Sequence, residues 1–303
     1  MAYIPPTMLE QLPRTAKGFA GGLKPYEEFR QLLYDLVEEQ QPMTVRQVFY
    51  RCVVKGYVEK TESGYSLIQQ DLVKMRRSGQ VPYDWIIDES RSVRGSQGTN
   101  ESVQEFMDRI LDDIPAQHSR DLLADHDFSI QVWLEKEALL GVVHPITARW
   151  GVPLCPAKGY ASLSFLHEAA QDLEYKNRPA KIFHFGDYDP SGQNAIQTVQ
   201  RDLPELAPIT AKLGIEFQIV AVTPQQIQAL NLPTRPTKKT DKRAQSFGSD
   251  VSVELDAIEP DVLRQMVDET LAACFPPGAR EANRAQQEAE RKQIRRWLAT
   301  LRR

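Results

Sequence analysis

From about residue 126 onward, short apolar runs alternate with helical stretches, and this alternation restricts the fold more than any other feature. Ile130 to Leu134, Val152 to Cys155, Ile182 to Phe185 and Phe217 to Val222 read as strands, with helical periodicity between them. Such alternation predicts an α/β fold with a mostly parallel sheet, in which functional groups gather beyond the carboxyl ends of the strands. Glu135 follows the first run and Asp187-Tyr188-Asp189-Pro190 follows the third, so three carboxylates are expected at one sheet edge. Oxygen ligands of this kind suit Mg²⁺ (or Mn²⁺), held by a few carboxylates with water and phosphate. Asp-x-Asp before Pro and Gly is by itself more often a polar turn. Glu135 at an equivalent strand end reverses that preference and points to phosphoryl transfer on a polyanion.

The N-terminal part has a different texture. Residues 1–25, with Pro5, Pro6, Pro13 and several glycines, read as an irregular arm, and residues 26–125 as a helix-rich domain. Phe29, Leu32, Leu33, Leu36 and Val37 have helical spacing. Thr44 is placed to N-cap a second helix through Val45, Val48, Phe49 and Val53, and Tyr65, Ile68, Leu72 and Met75 define a third. With the extended stretch Val81 to Ile87, these resemble a helix-turn-helix with a wing. Ser102-x-x-Glu105 reads as a capping box for a helix that presents Val103, Phe106, Met107, Ile110 and Leu111 to a core. Residues 126–275 make the α/β domain, interrupted at 233–250 by a basic, Pro-containing surface loop. The remaining 276–303 form a basic helix, exposed or packed on a partner, that closes on Trp297, Leu298 and Leu301.

Composition sets outer bounds. With 303 residues, 41% hydrophobic and 26% charged, the chain has the make-up of a globular protein of two ordinary domains. No apolar run is long enough to cross a bilayer, and the first residues lack a secretory pattern, so a cytoplasmic, nucleoid-associated protein is expected. Cys52, Cys155 and Cys274 are too far apart for a disulfide framework or a zinc knuckle. A net charge of −4 argues against a uniformly basic nucleic-acid binder. Local clusters at Lys74, Arg76 and Arg77, at Arg91 and Arg94, and along the tail permit one.

A metal-assisted site needs a nucleophile, either water or a side chain. Tyr50 stands four residues after Arg46, on the same helix face. A guanidinium there would favour the phenolate of a group whose ordinary pKa is near 10. The competing reading makes Phe49 and Tyr50 core aromatics. Lys136 and Lys158 are candidates to neutralise phosphate oxygens, with a surface turn as the equal alternative for Lys158-Gly159-Tyr160.

Five segments occur together in one order. Thr44-Val45-Arg46-Gln47-Val48-Phe49-Tyr50 resembles the Thr-x-Arg-x-x-Tyr-Tyr motif of the topoisomerase VI A subunit and of the related initiators of meiotic recombination. Val132 to Ala138 is similar to the Glu-Lys-Glu segment of their Toprim domain, and Lys158-Gly159-Tyr160 to a Lys-Gly-Tyr segment. Asp187 to Gly192 resembles Asp-x-Asp-Pro-x-Gly, and Val253 to Ile258 resembles a Glu-Ile-x-Ala-Leu element. The resemblance covers about residues 26 to 275. It implies a winged-helix domain bearing Tyr50, a Toprim domain whose Glu135, Asp187 and Asp189 hold Mg²⁺, and a homodimer on double-stranded DNA. In that family the tyrosine of one subunit works with the metal of the other. Attack leaves the protein on a 5′ phosphate, and two cuts make a double-strand break. Arg46 would stabilise the pentavalent phosphate, with Lys74, Arg76, Arg77, Lys136 and Lys158 on DNA.

The chain departs from that pattern in places. Phe49 replaces the first of the paired tyrosines, Ser191 stands where an aromatic residue is common, and the Arg-rich tail has no counterpart. No Gly-x-x-x-x-Gly-Lys-Ser/Thr loop is present. Strand passage would therefore require a separate ATPase or accessory subunit. Two alternatives remain beside transesterification: a Toprim nuclease that uses water, and a DNA-binding assembly module.

Overall fold

The structure, a computed structural model, describes residues 26–87, 102–124, 126–157, 162–237 and 247–301. Three helices open it: α1 (Tyr26–Gln40), α2 (Val45–Val54) and α3 (Glu62–Arg77). Thr44 caps α2 as its sequence predicts. Its hydroxyl accepts from the Gln47 amide and the Gln47 side chain returns to the Thr44 amide, so two otherwise orphaned donors are satisfied. Thr61 does the same service for α3 through the Gly64 amide. The expected wing is not a strand. Val81 to Ile87 contains a 3₁₀ turn at Tyr83–Trp85 and a single parallel bridge between Met43 and Ile86. Pro82 lacks a ladder donor and suits a turn instead.

Helix α4 (Val103–Gln117) has the predicted Ser102 cap, but its apolar stripe does not enter a core. Val103, Phe106 and Met107 are exposed, Ile110 and Leu111 half-buried. Only Pro115 of this helix is buried.

The sheet is wholly parallel, with β1 (Ser129–Leu134), β2 (Leu154–Pro156), β3 (Ala180–Phe185) and β4 (Ile215–Ala221) in the order β2-β1-β3-β4. Every β1 residue is buried, as helices on both faces require. The crossovers are α5 (Leu140–Trp150), α6 (Leu163–Lys176) and, after β3, α7 (Pro190–Leu206) with α8 (Pro208–Leu213). From β1 the chain passes outward to β2 and returns to the other side at β3. The connections therefore diverge at the carboxyl ends of β1 and β3, which is where ligands collect in open α/β sheets.

After α9 (Pro224–Ala229), the segment expected to be a plain surface loop contains a two-stranded pair, β5 (Arg235–Pro236) with β6 (Val251–Ser252). A 3₁₀ turn at Leu255–Ala257, α10 (Pro260–Ala272) and the long α11 (Ala279–Leu301) complete the chain. The apolar core runs across the boundary expected near residue 125: Phe29, Leu33, Val48 and Val58 share one cluster with Ile130, Val132, Leu263 and Val267. Among the described residues no helix is long and apolar enough to cross a membrane.

His184 on β3 is buried beside Phe217, and its Nδ1 has no hydrogen-bond partner among the described residues. Burial holds the ring down to about 4, against an ordinary imidazole value near 6.5. The unfolded chain therefore takes up this proton first as pH falls. The stabilising contribution is complete above about pH 6.5 and is lost on the way down to 4. Wild type minus His184→Phe stability should fall by up to about 3 kcal/mol between pH 7 and pH 4 in urea titrations. A pH-independent difference would contradict the neutral buried ring.

Candidate active site

Strand ends and one helix start place the predicted acids. Glu135 follows β1, with its amide bonded to the Phe185 carbonyl at 2.9 Å, and its Oε2 accepts from the Asp187 amide at 2.8 Å. The turn is close-packed: a Cβ on Gly186 would lie 2.6 Å from Glu135 Oε2, so glycine is required for the carboxylate to occupy this place. Asp189 N-caps α7, accepting from the Gly192 amide at 2.8 Å ahead of Pro190 at the first helical position. Asp187 Oδ1 accepts from the Leu255 amide at 2.8 Å. That bond ties β3 to the 253–257 segment, which also bridges Tyr188 through Val253.

Cations thread between these acids. Lys136 Nζ lies 3.1 Å from Asp187 Oδ2, 3.3 Å from Asp256 Oδ2 and 3.5 Å from Glu254 Oε2. Arg235 reaches Asp189 Oδ2 and Glu254 Oε1, each at 3.3 Å. Arg46 reaches Glu254 Oε2 at 3.1 Å, with its guanidinium also 5.2 Å above the Tyr65 ring. Thr44 Oγ1 donates to Asp256 Oδ1 at 3.3 Å. Helix α2 is thus docked on the acidic segment of its own chain.

Electrostatics follow from this crowding. Burial, then repulsion from Asp187, pushes Glu135 up to about 7. Burial also raises Asp187, against the pull of Lys136. Burial would raise Glu254 too, but Lys136, Arg46 and Arg235 together hold it low. For Lys136, burial is outweighed by Asp256, Asp187 and Glu254, which keep the ammonium charged.

Tyr50 lies in the same neighbourhood, under the ammonium of Lys60 at 5.2 Å, and is 2% exposed. Its phenol is raised by burial first and by Glu254 next; Arg46 opposes both and loses. The expected phenolate-favouring environment is therefore not realised in this state. The hydroxyl makes no hydrogen bond among the described residues.

Some predicted contacts lie elsewhere. Lys74, Arg76 and Arg77 end α3, roughly 20 Å along the helix from its first residue, Glu62. Lys74 is 3.9 Å from Asp71, and Arg76 donates to the Tyr83 carbonyl at 3.1 Å. Lys158, with Gly159 and Tyr160, is outside the described residues, as are Arg91 and Arg94. Sequence reasoning missed Lys60, Arg235, Glu254 and Asp256 as site residues. Only the Glu254 segment carried a signal, as the last of the five motifs.

Among the described residues no three His, Cys, Asp or Glu side chains converge in a geometry ready for a metal ion. Glu135, Asp187 and Asp189 share the edge, but a backbone amide, Lys136 and Arg235 respectively engage them. The charge balance nevertheless fits a divalent cation. Among the described residues, Glu135, Asp187, Asp189, Glu254 and Asp256 are five carboxylates, and Lys136, Arg46 and Arg235 are the three cations within 4 Å of any of them. When all are ionised these eight described groups are short of two positive charges, and the donors are the hard oxygens that Mg²⁺ prefers. Compared with known proteins, the chain matches no family model and no curated protein.

Proposed function

We propose that the chain binds and cleaves DNA in the manner of a topoisomerase VI A subunit, as a Mg²⁺-dependent homodimer with Tyr50 as nucleophile. On this reading α1 to α3 serve as a winged-helix-type unit and the parallel sheet as a Toprim domain. One observation carries the proposal: helix α2 sets Arg46 and Tyr50 against Glu254 and Asp256, which Lys136 and Arg235 link to Asp187 and Asp189. Resemblance to the family pairs the tyrosine with the other subunit's acids. Within this chain Tyr50 lies beside Glu254 and Asp256, and the three metal-holding acids that act on it are taken, as the resemblance implies, from the other subunit.

Glu135, Asp187 and Asp189 would hold the cation, which supplies charge stabilisation to the scissile phosphate and to the departing oxygen. Arg46 and Lys60 border the phenol and would bind phosphate oxygens once released from their protein partners. A bond forms from Tyr50 oxygen to phosphorus as the bond to the 3′ oxygen breaks. The phenolic proton ends on that 3′ hydroxyl, and the protein stays on the 5′ phosphate.

The near-complete burial of Tyr50 favours a second reading, hydrolysis by water at the same carboxylates. Both readings are tested with supercoiled plasmid and Mg²⁺, denatured after incubation. Linear product is expected from wild type, and its loss by a factor of roughly 10³ or more from Asp187→Asn, since a metal ligand is removed. Plasmid left intact by wild type would remove both readings.

A further inference from the structure

His184 stands at the penultimate position of β3, in register with Trp133 of β1 and Ile219 of β4. The parallel sheet therefore carries its ring to the same carboxyl-end edge as Glu135 and Asp187. Only 6% of the residue is exposed, and Nδ1 has no hydrogen-bond partner among the described residues. Leaving a buried donor or acceptor unpaired is costly, and an apolar side chain in this place would carry no such cost. A polar group buried in this way calls for a function or a further partner.

The ring faces Glu135. The point where a Cβ on Gly186 would stand is 2.4 Å from His184 Cε1, 3.3 Å from its Nδ1 and 2.6 Å from Glu135 Oε2. Imidazole edge and carboxylate thus converge on one spot that glycine alone leaves open. Nδ1 does not reach the carboxylate directly, but one water at ordinary hydrogen-bond lengths spans a gap of this size. The same two side chains line a void of about 10 Å³ between β1 and α7, room for a single water. Its other walls offer little to bond. Ala195, Ile196 and Val199 are apolar, Trp133 Nε1 donates to Gln131 Oε1 at 2.9 Å, and the Gly192 amide donates to Asp189.

The two oxygens of Glu135 differ in their surroundings. Oε2 accepts from the Asp187 amide at 2.8 Å and lies on the His184 side, whereas Oε1 makes no hydrogen bond among the described residues. We infer that His184 is a positioning residue for Glu135: through one water in the void its Nδ1 bonds Oε2 and, with the Asp187 amide, fixes the carboxylate while Oε1 is left for the cation. The inference rests on the cation site proposed above and adds to it a residue beyond the carboxylates. Partners that orient a metal-ligating group in this way act on metal affinity without touching the metal, typically by 10–100-fold.

Leucine and asparagine separate this role from packing, because they are close in size and asparagine keeps a polar atom at the place of Nδ1. Titration calorimetry of the folded protein with Mn²⁺ alone, without DNA, is expected to show binding by His184→Leu weakened about 10-fold or more and binding by His184→Asn within about threefold of wild type. Equal weakening in both variants would make His184 a packing residue, and no weakening in either would remove it from the site; each result overturns the positioning role while the cation site stands. A wild type that binds no Mn²⁺ would instead remove the cation site, and this role with it. Crystal structures of the cation-free proteins test the bridge by itself. A water within hydrogen-bond distance of both Nδ1 and Glu135 is expected in wild type, with its counterpart on the asparagine amide in His184→Asn and none in His184→Leu. A wild-type structure whose imidazole and carboxylate share no water would overturn the inference even where Mn²⁺ binds.

Discussion

Tyr50→Phe is expected to fold as wild type and to leave no DNA end carrying protein. The two halves of that result have separate physical origins. The Tyr50 hydroxyl makes no hydrogen bond among the described residues, so deleting it leaves no buried partner unsatisfied, and the ring stays in its contacts with Phe49 and Lys60. The stability change should be under about 1 kcal/mol. The covalent product, by contrast, cannot form without the phenol oxygen. Burial and Glu254 raise that phenol while Arg46 lowers it. A phosphate that draws Arg46 away from Glu254, with a cation taking the carboxylates, would replace this ground-state arrangement by one in which the guanidinium meets developing charge. The measurement is gel mobility of denatured, end-labelled DNA before and after protease. Protein-free ends that persist at wild-type rate in Tyr50→Phe would assign the nucleophile to water and leave Tyr50 as a packing residue.

How much of this was legible in the chain depended on range. The Thr44–Gln47 capping box and the helical periodicity of α1 to α3 are local, and their expected positions hold to within a few residues. The same is true of the buried strands β1 and β3 and of the acids that follow them. The sequence resemblance selected Arg46 and Tyr50, and the structure brings that helix face to the sheet edge. What failed was long-range or concerned surroundings. Glu254 and Lys136 are 118 positions apart, and Thr44 and Asp256 are 212 apart; no spacing rule joins them. Arg235 was hidden in a Pro- and Lys-rich run because composition does not reveal that two residues on each side pair as β5 and β6. The α4 stripe was expected to meet a core and does not among the described residues, because periodicity identifies a face without identifying what covers it.

Lys136→Met is the sharpest test of the charge arrangement, because it asks about the carboxylate cluster without requiring any DNA to be cut. The ammonium is the only described cation within 4 Å of Asp187 and of Asp256. Methionine has similar length and can occupy the space, so packing changes little. Asp187 and Asp256 would then remain buried with only neutral hydrogen-bond donors, from the Leu255 amide and Thr44. Breaking a buried pair in this way costs about 3–5 kcal/mol, a large part of the roughly 5–15 kcal/mol that holds a typical protein folded. In a chain of 303 residues the melting temperature should fall by about 5–8 °C. Removing one positive charge also deepens the deficit of the cluster from two to three, so a divalent cation should gain affinity even as the apo protein loses stability. Mg²⁺ at about 10 mM should accordingly raise the melting temperature of Lys136→Met more than that of wild type, since a ligand bound only by the folded state stabilises it in proportion to its affinity. If the variant melts within a degree or two of wild type, or if Mg²⁺ moves neither protein, the carboxylates at this sheet edge are not a cation site and the proposed chemistry loses its electrostatic basis.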